Sequence, residues 1–333
     1  MRSWVFTGDP AAPLRLRNGA EADLEPDEVR IEVRAVSLNA RDLMMWDSPQ
    51  SRDLVACSDA SGEIVEVGTD ISDLRVGDAV VGAFFAEWPD GPSRHANLAS
   101  ALGGDRDGVL AERVVLKASA VVRTPADQSF AHAAAFPCAG VTAWNALVSH
   151  ASPVTAADTV LTLGTGGVAI FALQIAQMFG ARTIATSSTT WKREKLRELG
   201  ADVVIDYAAN SHWHDEVGAA SGGRGVDFVV ETGGERSLPS SLKACAPGGC
   251  VTTVRPFRGE DAVDVDAKLI HGRGLTLRGV YVGSAAMLRD ALRTFAAAGV
   301  QPIIDRTFDF DDAPAAFVYL RSGTHLGKIL IER

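Results

Sequence analysis

Gly164-Thr165-Gly166-Gly167-Val168-Ala169 has the spacing G-x-G-x-x-A. Gly164 permits a tight turn, Gly166 lets backbone approach a pyrophosphate, and Ala169 allows a helix to pack closely on its strand. The helix that opens near Gly167 and Val168 offers free backbone N–H groups and a positive dipole end to that anion. Such a string is weak evidence alone and becomes strong between a strand and a helix. About twenty residues further on, an NAD site carries Asp or Glu for the ribose 2′-hydroxyl. This chain has Thr186-Ser187-Ser188 there, with Lys192 and Arg193 following. A carboxylate would repel a 2′-phosphate, whereas hydroxyls and a cation hold it, so the residues point to NADPH. Arg193 reads more simply as a solvated charge on an amphipathic helix.

The surrounding pattern supplies the strand and the helix. Residues 160–163 form a short apolar β-branched run, and a helical stretch covers 168–179. Further strands are expected at 183–186, 203–205, 226–230 and 250–254. A helix at 191–199 stops at Gly200. This alternation predicts an α/β doubly wound parallel sheet of Rossmann type over residues 126–284. Residues 1–125 read instead as short strands (29–36, 64–67, 79–81 and 113–116) separated by turns, which predicts a β-barrel domain. The tail from 285 has a helix at 287–298 and strands near 303–310 and 328–331. It is expected to return and complete that barrel.

Composition narrows the function classes. The chain has 333 residues, of which 47% are apolar and 22% charged, with a net charge of −10. That suits a globular protein of two domains. An acidic surface argues against nucleic-acid partners, because phosphate backbones are held by clustered Lys and Arg. No run approaches the ~20 apolar residues needed to cross a bilayer, and the amino terminus lacks a signal-peptide pattern. Cys57, Cys138, Cys245 and Cys250 form no C-x-x-C pair, which suggests a reducing, cytoplasmic location. His212 and His214 have metal-compatible spacing but no third ligand nearby. None of Tyr207, Tyr281 and Tyr319 is followed four residues later by lysine, which removes one familiar proton-donor signature. Asp305, Asp309, Asp311 and Asp312 read as a solvated rim.

Longer stretches carry a resemblance over nearly the whole chain. They are VSLNARDLMMW (36–46), SDASGEIVEVG (58–68), VGDAVVG (76–82), FPCAGVTAWNAL (136–147), LTLGTGGVAIFALQIAQMFGA (161–181), ELGADVVIDY (198–207), LRGVYVGS (277–284) and HLGKILI (325–331). The sequence resembles the medium-chain dehydrogenase/reductase superfamily, in its zinc-independent, quinone-oxidoreductase-like branch. The resemblance implies a GroES-like barrel, a Rossmann domain, an active site in the cleft between them and a homodimer. Zinc-dependent relatives use a Cys, a His-Glu pair and a second Cys near the catalytic metal. At those positions this chain has Asn39, Ser58-Asp59 and Cys138. Cys-Ser-Asp is a poor set for zinc, so no metal is expected, and Cys138 reads as a small buried residue.

Without a Lewis acid, direct alcohol oxidation becomes harder. A quinone or enone needs less help, because delocalisation spreads the charge that hydride addition creates and a few hydrogen-bond donors suffice. By resemblance, Asn39 meets a substrate oxygen or the nicotinamide ribose, with Asp42 orienting Asn39 or pairing with Arg41. Thr142 matches a position near the nicotinamide carboxamide, and its hydroxyl can both donate and accept. Val282 and Gly283 match backbone that lines the nicotinamide, Tyr207 flanks the adenosine end, and Lys328 meets a cofactor or domain-closure oxygen. The expected activity is NADPH-dependent, zinc-independent hydride transfer to a small-molecule quinone or α,β-unsaturated carbonyl. The alternatives are a metal-free NADP-dependent alcohol dehydrogenase or carbonyl reductase, and an NADPH-binding regulatory protein with little turnover.

Overall fold

The structure, a computed structural model, describes residues 1–9, 11–48, 50, 52–254 and 265–333. The chain divides into two compact units, residues 1–141 with 283–333, and residues 142–282.

The first unit opens with β1 (Arg2–Phe6), β2 (Leu14–Asn18), β3 (Glu28–Leu38) and α1 (Ala40–Asp47). It continues through β4 (Leu54–Val55), β5 (Asp59–Val67), β6 (Ala79–Gly82), α2 (His95–Leu98), β7 (Arg113–Lys117), β8 (Val121–Arg123) and α3 (Phe130–Ala134). A π-helical turn, Phe136–Gly140, follows; such turns frequently mark functional sites. The expected strand at 29–36 runs longer, because β3 is the central element of its sheet. It pairs antiparallel with β5 over Val29↔Val67 to Ser37↔Asp59, with two register irregularities, and also with β7.

The second unit holds α4 (Val141–Leu147), β9 (Thr159–Leu163), α5 (Gly167–Met178), β10 (Arg182–Thr186), α6 (Thr190–Glu198) and β11 (Val203–Ile205). Then come α7 (Trp213–Ala220), β12 (Val226–Glu231), α8 (Leu238–Ala244), β13 (Cys245–Thr253), α9 (Ala267–Arg273) and β14 (Thr276–Gly279). Its sheet is parallel, in the order β11-β10-β9-β12-β13-β14. This is the Rossmann order, with its switch point between β9 and β12, where such sheets bind ligands. Leu161, Ile184, Val229 and Val251 are buried along these strands, as a sheet covered on both faces requires. β13 starts five residues earlier than the periodicity suggests, because Cys245 already pairs with Val226 and a register shift takes up the residues before Cys250.

The chain then returns to the barrel through α10 (Ala285–Ala298), β15 (Ile304–Asp309), α11 (Ala313–Ser322) and β16 (Lys328–Glu332). The barrel sheet runs β15-β16-β3-β5-β6-β8, and β16 lies antiparallel on β3 with Ile329 opposite Leu38. Phe317 of α11 stacks edge-on against Phe6 at 5.8 Å. The tail thus adds β15 and β16 to the sheet of β3.

The boundary between units falls later than the composition shift near residue 125 suggests. The segment after it belongs to the barrel: Ser61 Oγ donates to Phe130 O at 2.5 Å, and the Phe136 ring packs against Phe295 at 5.0 Å. No helix among the described residues is long and apolar enough to cross a membrane.

Candidate active site

In the second unit, Gly164 ends β9 with φ +77, a left-handed conformation that glycine adopts without penalty. Gly166 has φ −73 and ψ 173 and caps α5, with no side-chain cap bond. A Cβ built at either glycine would meet nothing within 4 Å. The opening of α5 at Gly167 and Val168 therefore fronts open space, which is the cradle an anion needs. Thr165 between the two glycines is buried. The residues present fit a dinucleotide pyrophosphate.

β10 ends beside this loop. Ser187 is buried, its Oγ accepts from Thr189 N at 3.3 Å and its backbone N–H reaches Ile205 O, while Ser188 is exposed. Lys192 is largely buried on α6, its ammonium 5.5 Å from the Trp191 ring centre. Arg193 is not a solvated charge: its guanidinium pairs with Asp206 at 2.7 Å. Tyr207, the next residue, is 42% exposed. Gly164 to Val168, Ser187, Ser188, Lys192 and Tyr207 thus gather at the carboxyl ends of β9, β10 and β11.

Two arrangements at the other side of the switch point were not legible beforehand. Thr232 Oγ1 donates to Leu163 O at 2.6 Å, tying the loop after β12 to the residue before Gly164. Buried Glu231 holds that loop, its Oε1 accepting from Gly233 N at 2.6 Å, Gly234 N at 2.9 Å and Ser237 Oγ at 2.7 Å. Beyond β14, Val282 has φ +53, a strained conformation for a β-branched residue. Asn145 of α4 clamps it, Nδ2 donating to Val282 O at 2.6 Å. Arg278 in turn donates to Asn145 Oδ1 and Asn145 O, each at 2.7 Å. Thr142 lies buried one turn earlier in α4. The usable hints were an Asn inside the apolar run AWNAL and a carboxylate closing the strand VDFVVE.

The first unit carries a second cluster, built by three neighbouring strands. The register sets Ile329 opposite Leu38 and Ser37 opposite Asp59, so Lys328 of β16, Asn39 after β3 and Asp59 of β5 converge. Lys328 is only 2% exposed, and its Nζ donates to Leu38 O at 2.7 Å and to Asn39 Oδ1 at 2.5 Å. It is therefore neither a solvated lysine nor an outstretched one. Asp59 Oδ1 accepts from Ser58 Oγ at 2.6 Å, and Oδ2 accepts from Cys138 N at 2.9 Å. Asp42 orients the start of α1, its Oδ2 accepting from Asn39 N at 2.7 Å. Arg41 turns to Leu102 O at 2.8 Å and stacks over the Phe84 ring.

Burial sets the electrostatics of this cluster. It pushes Asp42 up to about 6, against the opposing pull of Arg41. It also raises Asp59, countered chiefly by the Lys328 ammonium and then by the Ser58 and Asn39 side chains. Cys138 is partly rather than fully buried, and desolvation with the nearby Asp59 charge pushes its thiol far above the usual range.

These donors do not fit zinc. The ion takes thiolate, imidazole or carboxylate ligands, whereas this set offers an amide, a hydroxyl, one carboxylate and a thiol that resists ionisation. The buried Lys328 ammonium in the same cluster would also repel a dication. Among the described residues, no three His, Cys, Asp or Glu side chains are grouped to hold a metal. His212 and His214 have ring centres 5.7 Å apart at the start of α7.

Comparison with known proteins matches residues 25–126 to the alcohol dehydrogenase GroES-like domain and residues 167–297 to the zinc-binding dehydrogenase family. A zinc-type alcohol dehydrogenase-like protein of Schizosaccharomyces pombe is 37% identical over 317 residues, covering 93% of this chain and 92% of that one. The chain belongs to the medium-chain dehydrogenase/reductase superfamily. It is an oxidoreductase of that superfamily, whose members bind a nicotinamide cofactor. A 2-methylene-furan-3-one reductase of Solanum lycopersicum is 30% identical over 344 residues, covering 99% of this chain and 79% of its own. A Sinorhizobium meliloti crystal structure described as an alcohol dehydrogenase superposes with a TM-score of 0.91. It is 33% identical and covers 100% of this chain and 98% of its own.

Proposed function

We propose that this medium-chain enzyme is an NADPH-dependent reductase that transfers hydride to a quinone or α,β-unsaturated carbonyl without a metal. The observation that carries the reading is the donor set around Asp59, which offers no Lewis acid to polarise an isolated carbonyl. An acceptor activated by its own conjugation then remains, and the reductase of Solanum lycopersicum acts, by its name, on such an enone.

When bound, the nicotinamide supplies the hydride. In the second unit, Gly164, Thr165, Gly166, Gly167 and Val168 receive the pyrophosphate. Ser187, Ser188 and Lys192 receive the 2′-phosphate, and Tyr207 flanks the adenosine. Thr142 and the backbone of Val282 and Gly283 hold the carboxamide end, with Asn145 fixing Val282. In the first unit, Asn39 is the residue assigned to the acceptor oxygen, held in place through Asp42. Among the described residues β14 is the outermost strand of its sheet, with Leu277 and Tyr281 exposed, and this supports a homodimer.

The test is cofactor consumption by chelator-treated protein against quinones, enones, aldehydes and ketones, with NADPH and NADH side by side. NADPH-linked turnover of quinones or enones that survives chelation is expected. Equal use of NADH would overturn the cofactor assignment. Activity lost on chelation and restored by zinc would overturn the metal-free reading. Oxidation of simple alcohols with NADP⁺ would favour a metal-free alcohol dehydrogenase, and tight NADPH binding without turnover would favour a binding protein.

A further inference from the structure

The cluster around Asp59 raises a question of charge. Two buried carboxylates, Asp42 and Asp59, lie in one polar centre, and buried carboxylates are tolerated only when compensated. In zinc-dependent relatives a metal would supply positive charge here. In this chain the side chain that does so is Lys328. We propose that the Lys328 ammonium is the built-in cation of the barrel's polar centre, neutralising Asp59 and orienting the Asn39 amide. Lys328 is thus a positioning residue rather than a ligand of the cofactor.

Three observations carry this. First, the ammonium is directed by its bonds: Leu38 O at 2.7 Å and Asn39 Oδ1 at 2.5 Å hold it inside the barrel unit. Second, the contact to Oδ1 fixes which way the amide faces. With its oxygen on Lys328, the nitrogen becomes the donor end of the amide, and one of its two N–H groups reaches Ser37 O at 3.5 Å. Third, the network is closed at its other end, since Asp59 takes Ser58 Oγ and Cys138 N on its two oxygens. A lysine achieves this through a flexible stem and a compact charge, which suits a site on three strands better than a planar guanidinium. The inference deepens the metal-free reading above and rests on it only for its functional consequence.

A double-mutant cycle with Lys328→Met and Asp59→Asn tests it, read by thermal unfolding, NADPH titration and enone turnover. Each single variant is expected to lose stability, because each leaves one buried charge alone. The double variant should lose less than the two singles together, the mark of a coupled pair. Lys328→Met should keep NADPH affinity within about threefold while turnover falls at least about tenfold, since Asn39 loses its orientation. Lys328→Arg should restore stability in part and turnover little, because a fork cannot reproduce the same bonds. Should Lys328→Met fail to fold, Lys328→Gln, which keeps a donor and most of the stem, enters the same cycle. Additive stability losses would overturn the charge pairing. An NADPH affinity weakened about tenfold or more, with turnover at saturation preserved, would make Lys328 a cofactor ligand and overturn the positioning role. Wild-type protein that binds no NADPH would instead defeat the cofactor reading, and the stability cycle would still decide the pairing.

Discussion

Replacing Gly166 by Val separates the cofactor site from the fold. The backbone there, φ −73 and ψ 173, lies in the extended region that any residue adopts, and a Cβ meets no atom within 4 Å. The structural cost is therefore mainly that of a poorer helix cap, ~1 kcal/mol. For a unit of this size that lowers Tm by roughly 2–4 °C. The cost to a bound pyrophosphate is larger. A phosphate oxygen approaches a backbone N–H to ~2.9 Å. A methyl group needs ~3.5 Å or more, so the valine side chain pushes the anion off the loop. Losing two charge-assisted hydrogen bonds at ~1.5–3 kcal/mol each removes roughly 3–6 kcal/mol of binding. That is a fall in affinity of about 10²- to 10⁴-fold. Fluorescence titration of NADPH against Gly166→Val, with circular dichroism as the check on folding, measures it. A folded variant whose affinity stays within about threefold of wild type would refute the site assignment and the geometric argument with it.

Two further perturbations probe the supporting residues. Asn145→Ala removes the clamp on Val282 O and leaves Arg278 short of a partner. A loss of ~1–3 kcal/mol in urea unfolding is expected from the unsatisfied groups. NADPH affinity should weaken by about tenfold as the strained backbone relaxes; a stability loss with unchanged affinity would remove Val282 from the cofactor site. Asp42→Asn tests the buried carboxyl, held near 6 in the folded chain against an ordinary value of 3.8. A raised folded value means that the folded state binds the proton more tightly, so wild-type stability is lost as pH rises from about 4 to about 6. The variant lacks this slope. Its stability relative to wild type should climb by up to ~3 kcal/mol across that window in denaturation series. A difference that does not move with pH would show that Asp42 does not titrate there.

The parts of this protein legible in its sequence are those whose physics is local. The glycine turn, the strand before it and the helix after it are adjacent in the chain, and Gly164 does take the left-handed backbone that a tight turn demands. Alternation of strand and helix predicted the parallel sheet, and apolar/polar alternation predicted β3. The unit boundary was less legible. What holds α3 and the π-helical turn to the barrel is contacts from Phe130, Phe136 and Cys138, and no shift in composition marks them.

The amino-acid sequence by itself thus determined the superfamily, the two architectures and the strand, glycine turn and helix of residues 159–178. Tertiary structure alone decided what the polar residues do. Lys328 meets Asn39 across 289 residues and Asn145 meets Val282 across 137, each through strand register and helix placement that no local window encodes. Arg193, a plain surface charge when read along its helix, becomes the partner of Asp206 because β10 and β11 lie side by side. Side-chain type and spacing specify which bonds a residue can make. Which bonds it does make is settled when distant strands align and burial limits the partners within reach.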